Sequence, residues 1–413
     1  MSDRNWEYQG IDIHQKEKIM GAVKNHFDNW KEGSEKKNEH PIFCCLTGPG
    51  RGKTRLLDEF PAILKDILKE DELKTRIENA YVFPVTFSNG TANTYQQSVE
   101  WHIAVRMLWQ LEDQKGGFES FCQDALKKDN TLSIIGVLNQ LAEGENKELK
   151  DLTVVLLVDE INKIHDLDVN FSSLLNGIST IVNSCVAFFI PVLAGTVLGP
   201  VKDFIVKTNS KQLFVFVQPP VIDPWMIKKN DSKDLVFDSQ SKAYIAVVSD
   251  MGRNPRALEY LQKTFSNETD FSKAIVNVGT MLKHEYGTVL QNSDVQENLT
   301  QILRVVFGRK KVLLSDSISG SDLKIQDIVD LGLFSHSSAD ISSEGYLEVP
   351  YCFLWLITDH VKELKKFFLP ESDHYSATWQ NFEEFCCYFR ALKAYLWSGE
   401  EVEWETLHSG NFY

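Results

Sequence analysis

Short runs of consecutive apolar residues recur along the first half of the chain, separated by stretches in which apolar residues return every three or four positions. Apolar runs bounded by turn residues predict strands, and the three-to-four spacing predicts helices. Strands that are apolar throughout are typical of a parallel sheet covered by helices. The chain from residue 41 is therefore predicted to form an α/β domain with a mainly parallel, five-stranded sheet. Its predicted strands are 42–46, 81–87, 153–158, 186–193 and 213–217, and its predicted helices lie near 53–69, 94–113, 118–127, 131–143 and 172–183.

The pattern differs on either side of this α/β domain. Residues 1–40 show a polar lead, an amphipathic helix around 19–30 and a charged stretch that suggests a linker. After a turn-rich segment the strands stop, and the spacing of apolar residues predicts a helical lid over 236–290. Two helices followed by two apolar runs suggest a winged-helix-like unit within 291–413, with an amphipathic helical region near its end. The predicted divisions are therefore 1–40, 41–235, 236–290 and 291–413.

Composition and charge limit the classes of function. The 413 residues carry a formal net charge of −15 and a pI near 5.2, so the protein as a whole repels nucleic acid and anionic membranes. A nucleic-acid motor would need a local basic channel, and the basic cluster of Arg304 and residues 309–311 is interpreted as a solvated helix end. Seven cysteines in mostly apolar runs, with no signal region and no apolar span, lead us to expect a soluble intracellular protein of the cytoplasm or nucleus.

A glycine-rich segment follows the first predicted strand and runs into the first predicted helix of the α/β domain. From Thr47 to Thr54 it resembles a Walker A loop, whose backbone N–H groups cradle phosphates at the start of a helix. The position that opens the full pattern holds Thr47 and not glycine. Lys53 is expected to contact the β and γ phosphates of ATP, and Thr54 to ligate Mg²⁺. The candidate nucleotide-binding residues are Gly48, Pro49, Gly50, Arg51, Gly52, Lys53, Thr54 and Arg55.

Polar side chains end two further predicted strands. Asp159 and Glu160 follow an unbroken apolar run, and parallel strands place their carboxyl ends at the edge of the sheet where ligands bind. Asp159 is a candidate Mg²⁺ ligand through water, and Glu160 is a candidate catalytic residue that orients or deprotonates the attacking water. An acidic pair is also common at a solvated strand end, so its significance depends on the glycine-rich loop. Thr196, after the fourth strand, is a candidate sensor of the attacking water beside the γ-phosphate, or a simple turn residue.

An arginine in the predicted lid completes the candidate catalytic set. Arg256 follows Pro255 in the first turn of a predicted helix, where proline favours helix initiation. A guanidinium there could bind phosphate through two N–H groups. The alternative is a surface arginine on a capped helix, and a structural role is expected for Arg253.

Together these motifs resemble those of P-loop ATPases of the AAA+ and STAND type, which combine a Walker A loop, a strand ending in two acids, a polar sensor and an arginine on a lid helix. The resemblance is closer to the NTPase module of Crinkler and retrotransposon-hot-spot (RHS) proteins, and it covers most of residues 41–413. The resemblance is based on the segments 47–54, 158–162, 194–196, 252–259, 382–385 and 407–410.

The resemblance implies Mg²⁺-dependent hydrolysis of ATP by Lys53, Glu160, Thr196 and Arg256, coupled to a conformational change. A nucleotide-gated interaction module that binds ATP or ADP without hydrolysis is the alternative. The resemblance also implies a homo-oligomer, a protein partner or nuclease domain reached through the C-terminal region, and secretion into a host cell. The chain stops shortly after residue 410, so we expect the nuclease to lie outside this sequence. Because no apolar run approaches the length of a membrane span, we expect no membrane to be involved.

Overall fold

The computed structural model divides the chain into two compact units, which we call the sheet unit and the helical unit. The sheet unit comprises Gly10–Thr47 and Lys53–Pro220, and the helical unit comprises Met1–Gln9, Gly48–Gly52 and Val221–Tyr413. The structure describes residues 6–69, 71–88, 97–114, 116–129, 131–164, 167–196, 211–230, 232–238, 241–268, 270–287, 289–338, 343–360, 364 and 379–403. The four sequence divisions stay a prediction.

The sheet unit is built on five parallel strands in the order β2-β3-β4-β1-β5, which confirms the predicted α/β fold. Each strand that lies inside the sheet is apolar along its length because helices cover both faces. All seven residues of β3 and all eight of β4 are buried. The strands are β1 (Pro41–Leu46), β2 (Tyr81–Thr86), β3 (Thr153–Asp159), β4 (Phe188–Gly195) and β5 (Leu213–Phe216).

Two prolines lie in these strands despite their missing N–H donors. Pro84 is in β2, which is an edge strand with a free side, so its ring costs the sheet little. Pro191 is in the central strand β4, opposite Leu156 of β3. The pairing of β4 with β3 continues on both sides of Pro191, whereas its pairing with β1 begins after the proline, at Val192.

Seven helices of the sheet unit are described, and each predicted helix of this region has a counterpart among them. The structure ends α2 at Ile67 and begins a separate short helix, α3, which the sequence pattern did not separate. Residues 31–40 were predicted to be a linker, but His40 at the end of that stretch is fully buried. The helices are α1 (Ile13–Lys31), α2 (Lys53–Ile67), α3 (Asp71–Glu78), α4 (Val99–Leu111), α5 (Phe118–Lys128), α6 (Ile134–Glu145) and α7 (Leu167–Asn183).

The helical unit begins with the predicted lid helices, which the structure confirms as α8 (Lys242–Asp250), α9 (Pro255–Asn267) and α10 (Phe271–Tyr286). Pro255 occupies the first turn of α9, and the Asn254 side chain accepts a hydrogen bond from the N–H of Ala257. This cap satisfies a backbone donor that the helix itself cannot pair.

The predicted winged-helix-like part follows the lid. A helix, α11 (Ser293–Phe307), precedes the strand β6 (Lys311–Val312), the short helix α12 (Ile325–Asp330) and the hairpin of β7 (Ser335–His336) and β8 (Gly345–Glu348). The three strands pair antiparallel in the order β6-β8-β7. The sequence pattern predicted both helices and the hairpin but missed β6, because two residues are too few to show an alternation.

Two more helices, α13 (Tyr351–His360) and α14 (Trp379–Leu396), end the described chain. Leu392 of α14 is buried as the amphipathic pattern predicted, whereas the side chains predicted to share its face at 379–385 lie outside the described residues, as do 407–410. Arg304 is bonded to the Leu396 carbonyl and to Glu400, and Arg309 is 3.6 Å from Glu348. In the ranges that the structure describes, no helix is both long enough and apolar enough to cross a membrane.

Candidate functional site

Lys53 and Thr54 open α2 at the carboxyl end of β1. The Lys53 side chain is buried, and its Nζ donates a hydrogen bond to the Thr47 carbonyl oxygen at 2.8 Å. The Thr54 hydroxyl donates to Asp159 Oδ2 at 2.7 Å. The strand-to-helix turn therefore brings the candidate phosphate-binding ammonium, the hydroxyl and the carboxylate to one edge of the sheet.

Asp159 is 8% exposed at the end of β3. Burial raises the pKa of its carboxyl because charge is poorly solvated there, and the nearby charge of Glu160 acts in the same direction. The hydrogen bonds from Thr54 and from the backbone N–H of Glu160, and the charge of Lys53, oppose that rise. A buried carboxylate beside a hydroxyl is an oxygen donor set that fits Mg²⁺, which commonly binds one or two carboxylates and completes its shell with phosphate and water.

Glu160 has a backbone conformation that is unusual for its side chain. Its φ of +60° and ψ of +40° lie in the left-handed region, which costs a residue with a Cβ free energy. The glutamate side chain is 3.6 Å from Lys163 Nζ, which also donates to the Ser88 hydroxyl at 2.9 Å. Strained residues cluster at functional sites, so this conformation supports a role for Glu160 beyond that of a solvated strand end.

Lys163 and Ser88 were missed by the sequence analysis. Ser88 follows β2, and the register of β2 with β3 sets Thr86 beside Asp159. Ser88 could have been noticed in the sequence as a polar residue just past the strand that pairs with the end of β3. Nothing in the sequence indicates that Lys163 contacts Ser88.

Thr196 lies just past β4, between the ends of β1 and β3. Its backbone N–H donates to Asn162 Oδ1 at 3.2 Å, and the N–H of Thr47 donates to the Gly195 carbonyl at 3.2 Å. Asn162 belongs to the acidic motif from which the family resemblance was drawn, although no role was predicted for it. The carboxyl edge of the sheet unit thus gathers Thr47, Lys53, Thr54, Asp159, Glu160 and Thr196.

The middle of the glycine-rich segment, Gly48–Gly52, packs with the helical unit. Gly50 has a φ of +71°, and its carbonyl accepts the backbone N–H of Arg256 at 3.3 Å. The Tyr286 hydroxyl donates to the Pro49 carbonyl at 3.4 Å. A Cβ on Gly50 would lie 2.2 Å from Tyr286 Oη and 2.8 Å from Arg256 Cβ, so only glycine fits.

The turn after α12 contacts the same segment from the winged-helix-like part. Gly332 has a φ of +87°, and a Cβ there would lie 2.1 Å from Pro49 Cδ. A Cβ on Gly48 would lie 2.4 Å from Gly332 Cα. Two glycines are therefore required because two backbones approach each other, which the sequence did not indicate for Gly332.

Arg51 and Arg256 carry guanidinium groups that are incompletely paired. Burial lowers the pKa of Arg51, and within the described residues its Nη2 and the Nε of Arg256 are buried without a hydrogen-bond partner. Arg256 Nη1 lies 3.5 Å from Glu259, and Arg55 on α2 pairs with Glu59 at 2.7 Å. The buried Nη2 of Arg51 and Nε of Arg256 favour an anionic ligand beside the glycine-rich segment, because an oxyanion would satisfy these donors.

A parallel sheet with a glycine-rich loop and Lys53-Thr54 between β1 and α2, and an acid at the end of β3, defines a P-loop NTPase fold. No family model matches the sequence. The chain is 28% identical to Crinkler effector protein 108 of Phytophthora sojae over 440 aligned positions, which cover 99% of this chain and 51% of that protein. This similarity confirms the resemblance to a Crinkler protein, and the chain spans about half the length of the curated relative it matches. The likeness to retrotransposon-hot-spot proteins stays a prediction.

Several solved structures are similar to this chain at low sequence identity. A Walker-type ATPase of Pyrococcus abyssi is 13% identical, with a TM-score of 0.49 over 84% of this chain and 96% of its own. The ORC2 protein of Aeropyrum pernix, in ADPNP–ADP complexes, is 11% identical with a TM-score of 0.39 over 87% and 97%. The ORC1 protein of the same organism, in complex with DNA, is 11% identical with a TM-score of 0.37 over 88% and 98%.

Proposed function

We propose that this chain binds Mg·ATP and hydrolyses it. The observation that carries this proposal is the 2.7 Å hydrogen bond between Thr54 and Asp159, with the Lys53 ammonium held against the Thr47 carbonyl. These are the hydroxyl and ammonium at the start of α2, and the carboxylate at the end of β3, that P-loop chemistry requires.

Thr54 and Asp159 are the residues that would hold Mg²⁺, Thr54 directly and Asp159 through water. When bound, the ion supplies positive charge that offsets the charge of the phosphates. Lys53 would leave the Thr47 carbonyl and bind the β and γ phosphates, since a hydrogen bond to charged oxygen is stronger than one to a carbonyl. The N–H groups of Gly48–Gly52 and the N-terminus of α2 would bind the same phosphates.

Glu160 is the proposed base that orients or deprotonates the attacking water. Lys163 is proposed to hold its carboxylate in place, because the lysine contacts both Glu160 and Ser88. Thr196 is the proposed sensor of the γ-phosphate at the neighbouring strand end. Its backbone bond to Asn162 supports this assignment by fixing the turn.

Arg256 is proposed to bind the γ-phosphate and to couple the lid to the nucleotide. Its backbone bond to Gly50 supports this role, as do the contacts of Tyr286 and Gly332 with the loop. A loop that changes conformation when it binds phosphate would displace these helical-unit residues. The proposed output is therefore a conformational change that controls a partner or an appended domain.

Phosphate release by the purified chain tests the hydrolysis step, with Glu160→Gln as the comparison. We expect Mg²⁺-dependent release by the parent and a large decrease in the variant, with nucleotide binding retained. Titrations with ATP and GTP, each with and without Mg²⁺, test the nucleotide and the metal separately. If neither ATP nor GTP bound, the whole proposal would be overturned.

A nucleotide-gated interaction module is the second candidate. In the described residues the glycine-rich segment is packed against Tyr286 and Gly332, which favours a loop that responds to nucleotide binding whether or not hydrolysis follows. Equal release near background by the parent and by Glu160→Gln, together with tight ATP or ADP binding, would establish this candidate instead.

Arg256→Ala tests the role of the lid arginine. Loss of an arginine contact to a transferring phosphoryl group costs on the order of a thousandfold in rate, so we expect turnover to fall far more than affinity. Lys263→Ala on the same helix is the matched control, because Lys263 is exposed. Full turnover by Arg256→Ala would remove this residue from the mechanism.

The relative's description as an effector supports a site of action inside a host cell, in cytoplasm or nucleus. Since that relative is about twice as long, we propose that its additional length includes the partner domain that this module controls. A homo-oligomer is proposed from the resemblance to AAA+ and STAND proteins. Light scattering of the purified chain with and without ATP tests the assembly state, and imaging of the tagged chain in host cells tests the location.

A further inference from the structure

A pocket of the sheet unit lies at the amino-terminal ends of β2 and β3. Its volume is about 540 Å³, within the range of small-molecule sites. Thr153 opens β3 and Asp159 ends it, so the pocket is about 20 Å from the candidate Mg²⁺ ligand at the usual rise of a strand. The residues that line it include Arg76, Asn79, Tyr81, Lys147, Asp151 and Thr153.

The guanidinium of Arg76 has more N–H donors than its observed hydrogen bond uses. Its Cζ lies 4.7 Å from the centroid of the Trp30 ring, and it donates one long hydrogen bond of 3.4 Å to the Lys150 carbonyl. Neither contact uses a strong acceptor. A guanidinium that is positioned by an aromatic ring and makes only one long hydrogen bond can bind a carboxylate or phosphate through two hydrogen bonds.

Lys147 supplies a second cation, and its position is fixed by Tyr81. Its Nζ donates to the Tyr81 hydroxyl at 2.9 Å and lies 3.5 Å from Glu145. The Tyr81 hydroxyl accepts that bond and keeps its own proton for another acceptor. An anion in the pocket would therefore meet an ammonium and a phenol beside the guanidinium.

Thr153 gives the pocket a buried polar group. The residue is 3% exposed, and its hydroxyl has no hydrogen-bond partner in the part of the chain that the structure describes. A buried hydroxyl without a partner costs free energy, and a ligand oxygen would remove that cost. The other polar side chains are better satisfied, since Asn79 donates to the Thr75 carbonyl.

The acidic residues around the pocket are already engaged. Glu72 pairs with Lys31 at 2.7 Å, and Asp151 accepts the N–H of Glu148 at 3.2 Å. Lys31 therefore compensates the charge of Glu72 more strongly than Arg76 does, because the Lys31 hydrogen bond is the largest influence on the pKa of Glu72. This leaves the two cations as the groups available to a ligand.

We propose that this pocket binds a small organic or inorganic oxyanion, held by Arg76 and Lys147 with Thr153 and Tyr81 as additional hydrogen-bonding groups. The ligand carries a carboxylate or a phosphate group. The site is separate from the glycine-rich loop, so this proposal does not depend on the proposed ATPase activity.

Calorimetric titrations of the full chain with citrate and with inorganic phosphate test the site and distinguish the two anion types. All titrations use the Lys53→Ala background, which removes the loop ammonium. We expect one of the anions to bind, and Arg76→Gln to weaken that binding by at least about tenfold. Lys74→Gln is the matched control, since Lys74 lies on the same helix and only approaches Glu78 at 3.9 Å.

Thr153→Val keeps the test decisive if Arg76→Gln does not fold. Valine has nearly the shape of threonine but no hydroxyl, so the ligand-free variant should melt at or above the parental temperature while binding the anion more weakly. Failure of both anions to bind in the Lys53→Ala background, or equal affinity of Arg76→Gln and Lys74→Gln, would overturn the proposal. If Lys53→Ala lost ATP binding but still bound the anion, the glycine-rich loop and the pocket of Arg76 would be shown to be independent sites.

Discussion

A buried histidine pair in the sheet unit makes the stability of the protein depend on pH. His26 of α1 is 1% exposed, its Nε2 is 3.0 Å from the Phe189 carbonyl, and its Nδ1 is 2.8 Å from Nδ1 of His40. A carbonyl only accepts, so Nε2 carries the proton of the neutral His26 ring and its Nδ1 carries none. The Ser34 carbonyl accepts from Nε2 of His40 in the same way, at 2.5 Å.

Burial lowers the pKa of His26 from 6.5 to about 3. Because this folded-state pKa lies below the unfolded-state value, the unfolded chain takes up the proton first as the pH falls. The free energy of unfolding is therefore unaffected above the unfolded-state pKa and decreases below it until the folded-state pKa is reached. Between about pH 7.5 and about pH 5 this one group should cost the native state about 2 kcal/mol.

Urea unfolding at the two pH values, followed by circular dichroism, measures this loss, and hydrogen exchange of peptides from Ile13–Lys31 localises it. His26→Gln can still donate to the Phe189 carbonyl but does not titrate, so its stability should fall less between the two pH values. His14→Gln on the same helix is the control, because the His14 side chain is 90% exposed. Equal pH dependence of His26→Gln and His14→Gln to within about 0.5 kcal/mol, the usual scatter of surface substitutions, would refute the reasoning.

Further predictions concern the loop contact and the candidate metal ligand. Gly332→Ala should destabilise the helical unit by about 1–3 kcal/mol more than Gly320→Ala does. Both glycines have a positive φ, but only a Cβ on Gly332 would collide with another residue, Pro49. Equal melting temperatures of the two variants would contradict this prediction. Asp159→Asn should stabilise the ligand-free protein at neutral pH, because it removes a buried carboxylate charge, and burial raises the pKa of that carboxyl. The same substitution should abolish Mg²⁺-dependent nucleotide binding. A destabilised Asp159→Asn, in thermal unfolding without nucleotide, would mean that the hydrogen bond from Thr54 outweighs the cost of burying the charge.

The strands could be predicted from the sequence because their burial determines their composition. The apolar run before Asp159 has no helical spacing, so a strand covered on both sides is its natural structure, and β3 has that form. The same argument predicts from the sequence that Lys53, Thr54 and Asp159 lie at one edge of the sheet. Motif spacing was informative there because a strand end and a helix start fix where neighbouring side chains lie.

Contacts between residues distant in the sequence could not be predicted in this way. Lys163 bonds Ser88 across 75 positions, and no local pattern marks either residue as the partner of the other. The His26–His40 pair was missed because histidine fits both a buried and an exposed position, and residues 31–40 are too charged to suggest that one of them is buried. The role of Gly332 depends on the approach of Pro49, which only the folded chain reveals.

The glycines of the loop serve two requirements, and this affects how their substitution can be interpreted. Phosphate binding requires glycine because inward-turned N–H groups need backbone conformations that other residues avoid. Packing requires glycine at 48 and 50 because a Cβ would collide with Gly332 or with Tyr286. An alanine at either position would therefore lose nucleotide binding for two reasons at once. Gly332→Ala acts on the packing at Pro49 without changing a loop glycine. Lys53→Ala removes the loop ammonium and its bond to Thr47 without changing that packing. Comparing the two therefore separates the packing of the loop from the binding of the nucleotide itself.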